Sequence, residues 1–186
     1  MKQKRISKIE RITRETKIKL ELNLEGSGKS DVKTGIGFLD HMLDLWTFHG
    51  LFNLKLTCKG DLEIDAHHTT EDIAIALGTA LEEAVGKKKG IVRYGLSYVP
   101  MDEALVRVTL DLSGRPDFVF YGEFLQSSIG NLDTQMIMHF FKSLAMSSRM
   151  TLHMSILYGT NDHHKCEGLF KALGRSLRQA VEIDPL

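Results

Sequence analysis

The feature that most constrains this chain is a segment that occurs twice. The pattern His-His-x-x-Glu, followed by an apolar stretch containing Ala-Leu-Gly, begins at His67 and again at His163, and every matched pair is separated by the same 96 positions. The repeated residues of the first copy are His67, His68, Glu71, Ala76, Leu77, Gly78, Leu81, Ala84 and Val85. Their counterparts are His163, His164, Glu167, Ala172, Leu173, Gly174, Leu177, Ala180 and Val181. Self-similarity at a fixed offset predicts a duplicated structural unit.

Each half is predicted to contain strands, a helix, a strand and a second helix. Apolar residues recur at helical spacing from Phe38 onwards, whereas they alternate with polar residues in Leu51–Gly60, whose weaker counterpart is Met150–Gly159. A further strand pair is expected at Leu105–Leu112 and Asp117–Tyr121, joined through Ser-Gly-Arg-Pro. No Pro-rich or Ser-rich linker separates the halves. The prediction is therefore one α+β domain over residues 1–186, with pseudo-symmetric halves of about 10–92 and 93–186.

Charge and composition exclude several classes of protein. Lys plus Arg and Asp plus Glu both number 24, which argues against a nucleic-acid-binding surface and a polybasic membrane anchor. No apolar run approaches the roughly 20 residues that span a bilayer, and Met1–Thr16 is polar rather than signal-like. Two cysteines, Cys58 and Cys166, cannot form a disulfide framework. A cytoplasmic protein is the expectation.

The histidines point to metal chemistry. On a helix His67 and Glu71 share a face, while His67 and His68 diverge by about 100° and should reach different targets. The second copy repeats this arrangement, and His41 has a weaker counterpart in His139. The inventory of six imidazoles and two carboxylates suits two metals with three His and one Glu each. Such ligands favour Mn²⁺, Fe²⁺ or Zn²⁺ over Mg²⁺ and Ca²⁺. The alternative is that these histidines are ordinary surface or helix-start residues.

The remaining candidates are weaker when taken from their local pattern alone. Glu15 is by default a solvated strand residue, and Arg93 and Arg115 are surface charges of a type suited to phosphate. Lys171 follows Glu167 by four residues, which is typical of an ion pair on a helix face. His153 lies in a predicted strand and is interpreted as a hydrogen-bonded structural residue.

Several longer motifs resemble one enzyme family. They are Thr-Gly-Ile-Gly-Phe-Leu-Asp-His-Met-Leu from Thr34, Asp-Ala-His-His-Thr-Thr-Glu-Asp from Asp65, Pro-Met-Asp-Glu-Ala-Leu from Pro100, Asp-Leu-Ser-Gly-Arg-Pro from Asp111, and Asn-Asp-His-His-Lys-Cys-Glu-Gly from Asn161. From about Arg11 to the C-terminus the chain closely resembles imidazoleglycerol-phosphate dehydratase. The resemblance implies a fold of the ribosomal protein S5 domain 2-like type. It also implies a homo-oligomer of 24 subunits, built from trimers, with active sites between subunits.

The resemblance also implies a reaction and its residues. The enzyme removes water from D-erythro-imidazole glycerol phosphate to give imidazole acetol phosphate in histidine biosynthesis, with two Mn²⁺ per active site and a metal-bound imidazolate. By the family pattern one metal is held by His41, His68, His163 and Glu167, and the other by His67, Glu71, His139 and His164. The positions matching substrate contacts are Glu15, His49, Arg93, Arg115 and Lys171. Glu15 is the first acid/base candidate and His49 the second.

One further expectation follows from the resemblance. Family members usually carry a C-terminal Ser-Lys-Gly segment that contacts the substrate phosphate, and this sequence lacks it, so weaker substrate binding is expected. The alternatives to a dehydratase are a dinuclear metallohydrolase acting on a phosphate ester and an assembly in which metals only join subunits. The absence of an Asp-rich bridging motif disfavours the hydrolase.

Overall fold

Two four-stranded sheets and four long helices form the architecture. The computed structural model describes residues 5–184. The predicted domain also includes residues 1–4 and 185–186, and the polar N-terminal stretch includes residues 1–4; these six residues lie outside the described part. The first half comprises β1 (Ile6–Ile12), β2 (Thr16–Asn23), β3 (Lys29–Lys33), α1 (Gly37–Gly50), β4 (Asn53–Gly60) and α2 (His67–Val85). The second half comprises β5 (Tyr94–Met101), β6 (Ala104–Asp111), β7 (Asp117–Tyr121), β8 (Ser128–Ile129), β9 (Leu132–Asp133), α3 (Thr134–Ser148), β10 (Thr151–Tyr158) and α4 (Asp162–Val181).

The two sheets have the same topology, which confirms the duplicated α+β layout. Their strand orders are β1-β2-β4-β3 and β5-β6-β10-β7, so β4 and β10 occupy equivalent central positions. In both sheets the first three strands are antiparallel neighbours and the last strand is parallel to the central one. The β8–β9 hairpin has no counterpart among the described strands of the first half.

The predicted pairing of the strands at Leu105–Leu112 and Asp117–Tyr121 is wrong. These segments form β6 and β7, but β10 lies between them, antiparallel to β6 and parallel to β7. The Ser-Gly-Arg-Pro connection therefore links two strands that are not neighbours, and β10 fills the position between them. Local turn residues indicate where a strand ends, but not which strand becomes its neighbour.

One hydrophobic core runs through both halves because the helices pack across the duplication. Helix α1 packs against α4, and α2 packs against α3, so each helix pair takes one member from each half. The inward residues of the strands meet these helices, as the buried alternation Leu20, Leu22, Leu54 and Leu56 shows. Because each helix pair joins the two halves, residues far apart in the sequence come together at the α1–α4 contact and at the α2–α3 contact. None of the helices within residues 5–184 is both long and apolar enough to span a membrane.

Candidate metal centres

The first group of potential ligands lies where α1 meets the start of α4. His41, His163 and Glu167 each offer a ligand atom, and these atoms lie within 4.8 Å of one another; we call them the α1–α4 cluster. Nε2 of His41 is 2.7 Å from Oε1 of Glu167, and Nε2 of His163 is 3.5 Å from the same oxygen. Glu167 is buried whereas both histidines are exposed. The cluster is thus a buried carboxylate that two exposed imidazoles cover.

The second group occupies the equivalent place on the other helix pair. His67, Glu71 and His139 form the α2–α3 cluster, again with ligand atoms within 4.8 Å of one another. Nε2 of His139 is 3.0 Å from Oε1 of Glu71, and Nε2 of His67 is 3.9 Å from Oε2 of that residue. Although His139 Nε2 is buried, it forms no hydrogen bond of acceptable geometry with any described residue. Buried polar nitrogens normally have a partner, and a metal ion would supply one here.

The starts of α2 and α4 present their histidines in similar ways. The Asp65 side chain accepts a hydrogen bond of 2.7 Å from the backbone N–H of His67. The Asn161 side chain accepts hydrogen bonds of 2.9 and 3.3 Å from the backbone N–H groups of His163 and His164. Short polar side chains before a helix satisfy its first free N–H groups. Both His-His pairs are therefore fixed in the first helical turn, with the glutamate one turn further on.

His68 and His164 lie outside the clusters of this chain. Nδ1 of His68 is 2.8 Å from Oδ2 of Asp61, and Nδ1 of His164 is 2.7 Å from Oε2 of Glu103. These hydrogen bonds raise the pKa of each histidine, and the bond from His164, with backbone N–H bonds, lowers the pKa of Glu103 to about 2. The structure thus brings together three of the four residues in each expected ligand set, and separates the fourth from them.

Lys171 and His41 together determine the charge state of Glu167. Burial on its own would raise the pKa of Glu167, but hydrogen bonds from Lys171 and His41 outweigh it and lower the pKa to about 2. Nζ of Lys171 lies 2.8 Å from Oε2 of Glu167, on the carboxylate oxygen that His41 does not contact. Lys171 is therefore the predicted ion-pair partner, and it keeps one oxygen of Glu167 directed into the cluster.

His49 lies on the same side of the fold as the α1–α4 cluster, two helical turns beyond His41. It is half-buried near the end of α1. Burial lowers its pKa, and the positive charges of Lys171 and Arg175 lower the pKa further, against the opposing effect of Glu167. A histidine whose pKa is lowered is neutral at pH 7 and can exchange a proton.

Glu15 is not a strand residue, which corrects the interpretation of its local pattern. It lies in the turn between β1 and β2, where the backbone N–H of Glu15 donates to Oγ1 of Thr13 at 3.2 Å. Its side chain is exposed and forms no hydrogen bond or ion pair with any residue in 5–184. The carboxylate nevertheless raises the pKa of His68 through its charge, which places it on the His68 side of the first half.

Arg93 and Arg115 meet at one carboxylate. Arg93 donates from Nε and Nη2 to the two oxygens of Asp111 at 2.7 and 3.0 Å, and the Arg115 guanidinium lies 4.0 Å from Oδ2 of that residue. Arg115 is highly exposed, so its donors are available. Within residues 5–184 neither arginine bonds to a residue of the two clusters. The pair forms a separate basic site on the same chain.

Two residues near the histidines were missed by the sequence analysis. Asp61 follows β4, and Glu103 lies in the turn between β5 and β6. Glu103 was within a recognised motif, Pro-Met-Asp-Glu-Ala-Leu, but the spacing gave no role to its carboxylate. His153 is exposed on β10, and its ring forms no hydrogen bond with any residue in 5–184, so its interpretation as a hydrogen-bonded residue is wrong.

Comparison with known proteins decides the family. The sequence model for imidazoleglycerol-phosphate dehydratase matches residues 34–177, which include all eight residues of the two expected ligand sets. The chain belongs to the imidazoleglycerol-phosphate dehydratase family. It is thus a member of a family of hydro-lyases in histidine biosynthesis, as the motifs predicted.

Relatives and solved structures agree with this assignment. Imidazoleglycerol-phosphate dehydratase of Clostridium botulinum (strain Langeland) is 54% identical over 179 residues, covering 96% of this chain and 91% of that protein. The dehydratase of Geobacillus sp. (strain WCH70) is 54% identical over 181 residues, covering 97% and 93%. The crystal structure of the Staphylococcus aureus enzyme superposes with a TM-score of 0.87 at 38% identity, covering 96% of this chain and 99% of that one. The Pyrococcus furiosus enzyme in complex with (S)-C348 gives 0.83 at 34%, covering 95% of each chain.

Proposed function

We propose that this chain dehydrates D-erythro-imidazole glycerol phosphate to imidazole acetol phosphate, with two Mn²⁺ ions per active site. The observation that carries the proposal is the pair of equivalent clusters, each with two imidazoles and one carboxylate. Imidazole with carboxylate suits Mn²⁺, Fe²⁺ or Zn²⁺, and the family membership favours the dehydratase reaction. Nε2 of His139 is buried and lies 3.0 Å from Glu71 without forming a hydrogen bond of acceptable geometry, which supports metal binding over a purely hydrogen-bonded cluster.

We also propose that each metal site is completed by a second copy of the chain. His41, His163 and Glu167 would be joined by His68 of another copy, and His67, Glu71 and His139 by His164 of another copy. The support is that both missing histidines carry exposed surface, 46% for His68 and 25% for His164. Active sites shared between subunits require a homo-oligomer, for which the proposed form is the 24-subunit assembly of trimers. A cytoplasmic location is part of the same proposal, supported by the two free thiols of Cys58 and Cys166.

The reaction requires a residue that handles a proton on an unactivated carbon. The substrate loses the hydroxyl next to its imidazole ring and a proton from the adjacent carbon, and the resulting enol becomes the ketone. When bound, Mn²⁺ supplies Lewis-acid stabilisation of charge on the ring. The Glu15 carboxylate is exposed and free of hydrogen bonds within the described chain, so it can accept that proton. His49, neutral at pH 7, is the second candidate, at its ring nitrogens.

The remaining polar residues are proposed to bind the substrate phosphate or to orient other residues of the site. Lys171 holds one oxygen of Glu167, which leaves the other directed at the cluster. Arg115, exposed beside Arg93 and Asp111, offers its guanidinium to the phosphate of the substrate. Asp111 keeps Arg93 in place through two hydrogen bonds. Of the expected substrate contacts Arg93, Arg115 and Lys171, only Arg115 has its donors free for the phosphate, and contact of Arg93 and Lys171 with the substrate stays a prediction.

The test is an assay of the purified chain with imidazole glycerol phosphate. We expect product with Mn²⁺, none after removal of metal by a chelator, and recovery when Mn²⁺ is restored. Glu15→Gln should lower kcat by a factor on the order of 10²–10⁴ with Mn²⁺ binding unchanged, because a general base contributes about that much. Glu10→Gln, which removes an exposed carboxylate from the neighbouring strand β1, is the control.

Three results would contradict the proposal in different ways. Failure of wild-type protein with Mn²⁺ to form product would favour an assembly in which metal only joins subunits. Release of inorganic phosphate without dehydration would indicate the metallohydrolase. Wild-type turnover by Glu15→Gln would remove Glu15 from the proton transfer and leave His49.

A further inference from the structure

Two carboxylates outside the clusters hold the two histidines that the clusters lack. Asp61 contacts Nδ1 of His68, and Glu103 contacts Nδ1 of His164, at 2.8 and 2.7 Å. Both bonds involve the same ring nitrogen at equivalent positions of the duplication. An ionised carboxylate can only accept a hydrogen bond, so Nδ1 is the protonated nitrogen. In a neutral imidazole Nε2 then has the free lone pair that a metal requires.

The two carboxylates come from different places in their halves. Glu103 directly precedes β6, the second strand of its sheet, and the residue in the equivalent place of the first sheet is Glu15, directly before β2. In the first half, however, the bond to the histidine is made by Asp61, which follows β4. The same contact has therefore been built twice from unrelated positions. One consequence is that Glu15 is left without a hydrogen-bond partner in the described chain.

Glu103 is itself held in a fixed orientation. Its Oε1 accepts the backbone N–H groups of Thr160 and Asn161 at 3.0 and 2.7 Å, just before α4 begins. Its Oε2 is then directed at His164. On the other side of the ring, Nε2 of His164 lies 3.6 Å from Oδ2 of the exposed Asp102, too far for a hydrogen bond. Nothing in the described chain therefore occupies the Nε2 lone pair.

We propose that Asp61 and Glu103 are positioning residues that set the tautomer and direction of His68 and His164, so that Nε2 of each can bind a metal held by a second copy of this chain. This inference rests on the proposed function, since it takes the two ligand sets from there. Carboxylates that bond to the second nitrogen of a ligating histidine fix its orientation and increase its basicity. Here they act on the ligands that another subunit must receive.

The decisive variant is Glu103→Gln, because its geometry predicts the direction of the effect. The amide oxygen must face the two backbone N–H groups at Thr160 and Asn161, so the amide NH₂ faces Nδ1 of His164. A donor at that point requires Nδ1 to be the acceptor, which places the ring proton on Nε2 and removes the ligating lone pair. Asp61→Ala is the companion variant for His68, because Oδ1 of Asp61 has no hydrogen-bond partner in the described chain, so an asparagine could turn its oxygen to Nδ1 of His68. Glu63→Gln, an exposed carboxylate on the same loop as Asp61, is the matched control.

The measurement is a titration of the full chain with Mn²⁺ alone, following the electron paramagnetic resonance signal of the free ion. Wild-type protein and Glu63→Gln should bind two ions per chain. Glu103→Gln should weaken one of the two by about 10–100-fold and leave the other unchanged. Asp61→Ala should weaken the other ion, the one that His68 is proposed to bind, and the double variant should weaken both. Thermal unfolding of the metal-free proteins checks that each variant folds.

Weaker binding of only one of the two Mn²⁺ ions distinguishes a positioning role from general structural damage. Equal weakening of both ions by Glu103→Gln, or wild-type affinity for both, would overturn the positioning role while leaving the proposed function intact. If wild-type protein itself bound no Mn²⁺, the proposed function would fail first and this inference with it.

Discussion

At the scale of single residues, the spacing of histidines and glutamates along the sequence identified the candidate ligands better than it identified the residues that contact them. The i,i+4 relation of His163 and Glu167 follows from helix geometry, and the structure has their side-chain atoms 3.5 Å apart. The contact of His41 with Glu167 could not be read from spacing, because it depends on how α1 crosses α4. The carboxylates that hold His68 and His164 lie in loops, where no periodicity predicts a side-chain direction.

The thiol of Cys58 gives a prediction that depends on pH. Burial raises its pKa to about 11, and the negative charge of Asp72 acts in the same direction. Since a raised thiol pKa leaves less thiolate, only about one molecule in a thousand is reactive at pH 8. Ellman's reagent should therefore modify the native protein far more slowly than it modifies glutathione at pH 8, with a rate that rises up to about pH 11.

The second cysteine provides the control for that measurement. Cys166 is fully buried, so a Cys58→Ser variant should remain unmodified while folded and gain one reactive thiol in denaturant. Modification of native wild-type protein at the rate of free glutathione would show that Cys58 is not shielded as described.

At the scale of elements, the helices were predicted well, whereas of the four edge strands only β7 was predicted, with the bounds Asp117–Tyr121. The helices carry long apolar periodicity, whereas the edge strands β1, β3 and β5 face solvent on one side and expose much of their length. Their pattern is therefore polar enough to resemble loops. The placement of β10 between β6 and β7 depends on a strand about thirty residues later, which no local pattern records.

The glycine shared by the two repeated segments explains how the helices approach. A Cβ at Gly174 of α4 would lie 2.5 Å from the carbonyl oxygen of Trp46 in α1, and one at Gly78 would lie 2.8 Å from that of Leu144 in α3. Both distances are shorter than atoms tolerate, so glycine is required for each helix pair to pack this closely. The same packing places His41 beside Glu167 and His139 beside Glu71.

Substitution of this glycine should therefore damage both stability and metal binding. Gly174→Ala is expected to lower the free energy of unfolding by about 1–3 kcal/mol, because α1 must shift to admit the methyl group. Urea denaturation at fixed protein concentration measures this. Gly37→Ala, at the start of α1 where an added Cβ meets nothing within 4 Å, should change stability by less than about 1 kcal/mol. Equal effects of the two substitutions would contradict the close-packing account.

At the scale of the whole molecule, the duplication supplies two equivalent but incomplete metal sites. Each helix pair takes one helix from each half, so each cluster contains residues from both copies of the repeat. The sequence predicted two sites of four ligands, and the chain assembles three residues at each. The fourth could not be placed from sequence reasoning about one chain, because its target lies on another copy in the proposed assembly.

Subunit complementation tests this claim most directly. His41→Asn removes a ligand from the α1–α4 cluster, and His68→Asn removes the histidine proposed to complete that cluster on a neighbour. Each variant alone should lack dehydratase activity with Mn²⁺. When the two are co-expressed with different tags and co-purified, an intact cluster on a His68→Asn chain can receive His68 from a His41→Asn chain.

The matched control pairs His41→Asn with His163→Asn, since both variants damage the same cluster and no combination of copies can repair it. The account predicts measurable turnover of imidazole glycerol phosphate by the first mixed assembly and none by the control. Turnover by the His41→Asn and His68→Asn mixture no higher than that of either variant alone would contradict the claim that a second copy completes the site.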